Sequence, residues 1–321
     1  MSKRYAALDC GTNTIRLYVA DVNDDGSVTP ILKQTEIVRL GQGVDETGEL
    51  NKDALARTLE AANRYGAELD KLQPDAIRFV ATSATRDARN RQDFVDGIKQ
   101  AIGVAPEVIS GEEEAALAFA GATSWLLKDH PGPYLVVDLG GGSTELVLGA
   151  GGPDANLKAF SMDVGSVRLT ERRLKSDPPT AAEIEKARED VRAMIDKAKK
   201  IVPLEKTRTI VGVAGTVTSL AAAHLGLRKF DAEKVNGLAL PAEQVRNDCN
   251  KMLHMTKQER LDLGFMAPGR ADIIGAGALI WDEVIKAVTE ATTQVGNPAP
   301  EVVASDHDML DGIVASLDAA K

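Results

Sequence analysis

The chain has 321 residues, 44% of them apolar: room for two ordinary domains with a core in each, and too apolar for a disordered protein. A formal net charge of −10 argues against general affinity for nucleic-acid backbones, so any polyanion site must be made by a few placed cations. No apolar run approaches the roughly 20 residues that span a bilayer; Met1-Ser2-Lys3-Arg4 opens no signal core, and Cys10 and Cys249 form neither a disulfide framework nor a metal spacing, so a cytoplasmic setting without membrane or nucleic-acid partners is expected.

Residues 5–8 and 15–22 read as strands around Asp9-Cys10-Gly11-Thr12-Asn13-Thr14. In the second strand Ile15, Leu17 and Val19 alternate with Arg16, Tyr18 and Ala20, as in a half-buried strand. A third strand is expected over 27–38. Asn51 then caps a helix with Leu55, Leu59, Ala62 and Leu69 at helical spacing. An apolar strand over 76–81 leads into Thr82-Ser83-Ala84-Thr85-Arg86, and a short helix from about Arg91 leads to Val108 and Ile109. Ser110 and Glu113 fit a capping box opening an Ala-rich helix to about Leu127, and His130 to Pro133 reads as a linker.

The pattern then restarts. A strand over 134–137 meets Asp138-Leu139-Gly140-Gly141-Gly142-Ser143, followed by strands over 145–148 and 157–164, so a duplicated domain plan is expected. Ile184, Ala187, Val191, Met194, Ala198 and Val202 mark a long amphipathic helix. A strand over 209–213 ends in Gly215-Thr216 with a helix beyond it. The remainder reads as mostly helical to Ala287, with a last strand over 301–304 and a closing helix over 309–317.

Both turns read D-x-G-x-x-[ST]. One alone is weak evidence, because hairpins use glycine for positive φ. Gly140, Gly141 and Gly142 exceed that need, and bare backbone N–H groups suit an anion. Around Gly11 and this glycine run Thr12, Asn13, Thr14, Ser143 and Thr144 would add side-chain donors, and Gly215 with Thr216 at a helix N-terminus makes a third candidate anion loop.

The order DCGTNT, DLGGGSTELV, GVAGTVTSLAA resembles the actin-like ATPase and sugar-kinase superfamily. More narrowly, ATSATRDA, SGEEEAALAFAG, NGLAL, RADIIGAGALI and SDHDMLDGI make the chain similar to the exopolyphosphatase and guanosine pentaphosphate phosphohydrolase (Ppx/GppA) family, in its short two-domain form. The resemblance implies an α/β fold of two actin-like, ribonuclease H-like domains, each a mixed sheet with flanking helices, with a cleft between them. The boundaries expected are 1–126 and 127–321, with a C-terminal helix from about 306 able to pack back on the first domain. The implied activity is hydrolysis of the terminal phosphate of inorganic polyphosphate, with guanosine pentaphosphate as the alternative substrate, Mg²⁺ or Mn²⁺ as cofactor and a homodimer as assembly. A small-molecule kinase and a polyphosphate- or nucleotide-sensing module are the other readings.

Glu112, Glu113 and Glu114 open one helix, where acidic residues favour the positive end. Their mutual repulsion suits one of them to take a proton from water, and the resemblance makes that base Glu114. It also implies that Glu145 holds the attacking water or a metal, and that Arg86 binds phosphate. Asp9, Asp138 and Glu145 are the candidate metal ligands, since carboxylates beside phosphate repel it unless a cation lies between; each turn aspartate could instead hydrogen-bond its own turn. Arg16 is open between site and solvent, Arg89 and Arg91 could extend a basic track, and Arg168, Arg172 and Arg173 read as a solvated helix face. Arg270 opens a helix near the second domain's site by the resemblance. Ala116 replaces an arginine common in the family. Cys10 reads as a small buried side chain, and the four histidines show no metal or triad pattern.

Overall fold

The computed structural model describes residues 2–126, 130–151 and 156–319. The chain divides into two compact units, Met1–Leu117 with Met309–Lys321, and Ala118–Asp308.

In the first unit β1 (Lys3–Cys10), β2 (Thr14–Val22) and β3 (Val28–Ile37) form an antiparallel meander. A short α1 (Val44–Thr47) and a long α2 (Lys52–Leu72) follow; Asn51 Oδ1 caps α2 by accepting from the N–H groups of Asp53 and Ala54, at 2.9 and 3.3 Å. Strand β4 (Ala76–Ala81) lies parallel to β1. After α3 (Ser83–Asp87) and α4 (Arg91–Ile102), β5 (Glu107–Val108) completes the order β3-β2-β1-β4-β5. Tyr65, Phe79, Phe94 and Ile98 fill the core between this sheet and α2 and α4. Tyr18 and Ala20, expected on an exposed face of β2, are buried, because the closing helix α14 (Met309–Ala319) packs across β1, β2 and β4.

Helix α5 (Gly111–Thr123) carries the chain across the unit boundary. Its expected end near Leu127 and the start of the second domain expected there lie outside the described residues. The second unit repeats the plan. Strands β6 (Tyr134–Leu139), β7 (Thr144–Gly149) and β8 (Lys158–Met162) make a second meander, followed by α6 (Ser166–Arg173) and α7 (Ala181–Ala198). Then come β9 (Thr209–Val213), parallel to β6, and α8 (Ala214–His224), which starts one residue before Gly215.

A region read as mostly helical contains α9 (Ala232–Val235), a missed strand β10 (Ala239–Pro241), then α10 (Ala242–His254), α11 (Lys257–Asp262), α12 (Pro268–Ala271) and α13 (Ile274–Gln294). Three residues are too few to show an alternation, and β10 is an edge strand, where a proline without an N–H is tolerated. With β11 (Glu301–Ala304) parallel to β9, the order is β10-β11-β9-β6-β7-β8. The two sheets thus share one mixed five-strand plan, and the second adds an edge strand.

Helix α13 is buried along most of its length and packs on α6, α7, α8 and α10. It carries two buried acids into that core, and arginines on neighbouring helices meet both. Arg246 Nε reaches Asp282 at 2.7 Å, Arg192 Nε reaches Glu283 at 2.8 Å, and Arg188 lies 3.3 Å from Glu283. Removing one member leaves buried charge uncompensated. Glu283→Gln is expected to cost about 2 kcal/mol, read as a lower urea midpoint at unchanged m-value. An unchanged midpoint would mean that these arginines contribute only solvated surface.

Candidate active site: two glycine turns and their charged neighbours

The first turn closes the β1–β2 hairpin with Gly11 N–H donating to Thr14 O at 2.9 Å. Its carbonyls are held from one side by the segment leaving β3. Gly41 N–H donates to Thr12 O at 2.8 Å, and the N–H groups of Val38 and Arg39 both donate to Asn13 O at 2.9 Å. A trans peptide points its C=O and the next N–H in opposite directions. Holding these carbonyls therefore turns the N–H groups of Asn13 and Thr14 to the other side.

Gly41 permits the grip, since a Cβ there would lie 2.3 Å from Thr12 Cγ2. Gly11 differs. Its φ is not left-handed, and a Cβ would meet nothing nearer than Thr82 Oγ1 at 3.7 Å. The protein's own packing does not demand glycine there, whereas close approach of a ligand to the backbone would.

The second turn is built the same way. Gly140 N–H donates to Ser143 O at 3.1 Å, and the start of α6 holds the carbonyls. Ser166 N–H donates to Gly140 O at 3.0 Å, while the N–H groups of Val167 and Arg168 donate to Gly141 O at 2.8 and 3.1 Å. The N–H groups of Gly141 and Gly142 are turned away accordingly. A Cβ on Gly165 would lie 2.5 Å from the Gly141 carbonyl, so this contact too requires glycine. Gly41 and Gly165 are site residues that sequence reasoning missed. The available signal was a Leu-Gly or Val-Gly pair just past the third strand of each meander.

Around the first turn the fold brings two expected residues together. Arg86 Nη1 donates to Ile109 O at 3.0 Å and to Glu114 Oε2 at 3.3 Å, with Glu114 only 6% exposed. Arg86 Nε and Nη2 make no hydrogen bond among the described residues. Glu113 is engaged elsewhere: its N–H is capped by Ser110 Oγ at 3.2 Å, and its carboxylate meets Arg78 at 2.6 Å. Thr12 Oγ1 lies 3.0 Å from Ser83 Oγ, at the start of α3. Asp9 is held by Arg16, whose Nη2 is 2.7 Å away, so Arg16 does not simply face solvent.

In the second unit Asp138 pairs across the strands with Glu145, and Glu145 Oε1 accepts from Ser161 Oγ at 2.7 Å. Both carboxylates are buried. Gly215 and Thr216 lie in the first turn of α8, as the sequence suggested, with Arg270 Nη1 donating to Gly215 O at 3.1 Å and Ser219 Oγ at 3.2 Å. Among the described residues three non-glycines have positive φ. Gln73 ends a helix, but Arg39 (φ 53°) and Ala214 (φ 70°) flank the first turn's grip and the α8 loop. Backbone strain of this kind is commonest at functional sites.

Other candidates disperse. Arg89 is exposed beside Glu49, and Arg91 is exposed. Arg172 is solvated as expected, but Arg168 is largely covered and Arg173 pairs with Asp190 at 2.6 Å. Ala116 is exposed on α5. Burial first, and then the Asp9 charge, pushes the Cys10 thiol well up, which fits an inert side chain. Among the described residues no group of three or more His, Cys, Asp or Glu could hold a metal, and no helix is long and apolar enough to cross a membrane.

Two ribonuclease H-like sheets, each with a glycine turn between its first two strands, define the actin-like class of phosphate-handling proteins. Within that class the chain belongs to the Ppx/GppA phosphatase family, which matches residues 18–301. It is 44% identical over 322 residues to Exopolyphosphatase 2 of Mycobacterium tuberculosis, a match covering 98% of both chains. It is 35% identical over 219 residues to the guanosine-5'-triphosphate,3'-diphosphate pyrophosphatase of Vibrio cholerae, covering 68% of this chain and 43% of that protein. The solved structure of an exopolyphosphatase-like protein, 46% identical, superposes with a TM-score of 0.94 over 98% of both chains.

The grip on the second turn has a direct test. Gly165→Ala should overpack the contact with Gly141, cost about 1–3 kcal/mol in urea unfolding, and weaken binding of inorganic pyrophosphate measured by calorimetry. Unchanged pyrophosphate affinity would separate this turn from anion binding.

Proposed function

We propose that the chain is an exopolyphosphatase that removes the terminal phosphate of inorganic polyphosphate by transfer to water. The observation that carries the reading is the buried Glu114 carboxylate beside Arg86, in the unit that holds the first glycine turn. The full-length likeness to Exopolyphosphatase 2 favours polyphosphate over guanosine pentaphosphate, whose named relative extends well beyond the matched region. Retention of Glu114 favours water over a kinase's acceptor. A cytoplasmic homodimer is proposed on family resemblance alone.

The chemistry is positioning and charge stabilisation. Backbone N–H groups of each glycine turn, and of the α8 loop within the second unit, suit phosphoryl oxygens. Within the first unit Arg86 offers its Nε and Nη2 to a phosphoryl group while Nη1 keeps Glu114 in place. Glu114 takes the proton from the attacking water, and the shortened chain leaves from the opposite side of the phosphorus.

Asp138 and Glu145 suit a divalent cation. Both are buried carboxylates paired across neighbouring strands, and Mg²⁺ commonly uses one or two carboxylates with substrate oxygens and waters completing its shell. Mg²⁺, or Mn²⁺ in its place, would screen phosphoryl charge there. The carboxylate of Asp9 already has Arg16 as counter-ion.

Orthophosphate release from polyphosphate tests the reading. The wild type should turn over, lose activity to a chelator and regain it with Mg²⁺. Glu114→Ala should fall by roughly 10²–10⁴-fold while still binding tripolyphosphate. Equal rates for the two proteins would remove Glu114 as the base, and preferential release from guanosine pentaphosphate would favour the other substrate.

A further inference from the structure

The grips on the two turns differ in what stands behind them. At the second turn the gripping peptides belong to the start of α6. Ser166 N–H holds Gly140 O, and the carbonyl of that same peptide, Gly165 O, accepts from Leu169 N–H at 2.9 Å. The next peptide gives Val167 N–H to Gly141 O, and its carbonyl, Ser166 O, accepts from Thr170 Oγ1 at 2.7 Å. Aligned helical peptides thus set partial positive charge against the turn's carbonyls.

Residues 38–43, which grip the first turn, are not helical. The peptide joining Val38 to Arg39 gives its N–H to Asn13 O, and its carbonyl accepts from Arg57 Nε at 3.2 Å. Arg57 is exposed on α2, and among the described residues its guanidinium makes no other hydrogen bond and no ion pair. One line of donors results. Arg57 donates to Val38 O, Arg39 N–H donates to Asn13 O, and Thr14 N–H points onward to the anion side. Hydrogen bonds in such a chain polarise one another.

We infer that Arg57 is a positioning residue of the first turn: it holds and polarises the gripping peptide, and so raises the turn's affinity for an anion as α6 does at the second turn. This goes beyond the proposed function and rests on its reading of the first turn as a phosphoryl site. Arg57 meets the gripping segment behind the turn's carbonyls, so it acts on the anion through the backbone.

The test titrates the ¹⁵N-labelled full chain with imidodiphosphate and reads the amides of residues 11–14. Arg57→Met should weaken binding by roughly three- to tenfold, and the Arg39 amide proton should move upfield as its bond to Asn13 weakens. Arg57→Lys keeps the charge and should stay within about twofold of wild type. Arg57→Gln keeps a donor without charge and should fall towards Arg57→Met. High salt, which screens an exposed charge, should narrow these differences. Lys99→Met removes an exposed charge from α4 of the same unit and should leave affinity within about twofold. Wild-type affinity in Arg57→Met, or an equal loss in Lys99→Met, overturns the inference and leaves the anion reading standing. Equal affinities in the Lys and Gln variants overturn it too, since a mere anchor needs no charge. A wild type whose amides at 11–14 ignore the ligand removes the anion reading and the inference together.

Discussion

A peptide unit cannot point its carbonyl and its N–H the same way, and both turns depend on that constraint. Each hairpin alone would be free to present either side. The carbonyls of Thr12 and Asn13 are taken by the chain leaving β3, and those of Gly140 and Gly141 by the first turn of α6. That choice fixes which side of each turn carries its N–H groups. It also explains glycines remote from the motifs, since Gly41 and Gly165 lie where a side chain would push the gripping segment off its turn. The sheet supplies the hairpin, and the segment after the third strand gives it a polarity that suits anions.

Charge is handled locally, as a molecule of net charge −10 requires if it is to take an anion. Glu114 is covered beside Arg86, Asp9 beside Arg16, and Asp282 and Glu283 among arginines from α7 and α10. The last group ties α13 to its neighbours, and α13 packs on α8, whose first turn holds Gly215 and Thr216. Stability and site geometry are thus connected through the same helix.

Much of this was legible in the sequence, for identifiable reasons. The strands around Gly11 and Gly140 stood out because apolar runs flank glycine turns, and Asn51 marked the start of α2 through its side-chain oxygen. Glu114 and Arg86 lie 28 positions apart, and only motif order linked them before the fold brought them within 3.3 Å. What stayed hidden depends on long-range contact. Burial of Tyr18 and Ala20 needs α14, from the far end of the chain. Strand β10 is too short to show a period, and the grip on each turn is made by backbone groups whose partners no side-chain pattern records. The pairing of Arg16 with Asp9 required the register of two strands.

The central claim is that both turns present their N–H groups to the same kind of anion. Amide ¹H–¹⁵N shifts of the labelled protein, titrated with imidodiphosphate as a pyrophosphate analogue that resists hydrolysis, test it most directly. The account predicts that amides of residues 11–14 and amides of residues 140–143 both shift and saturate. Shifts confined to one turn, or spread over surface lysines with neither turn responding, would contradict it.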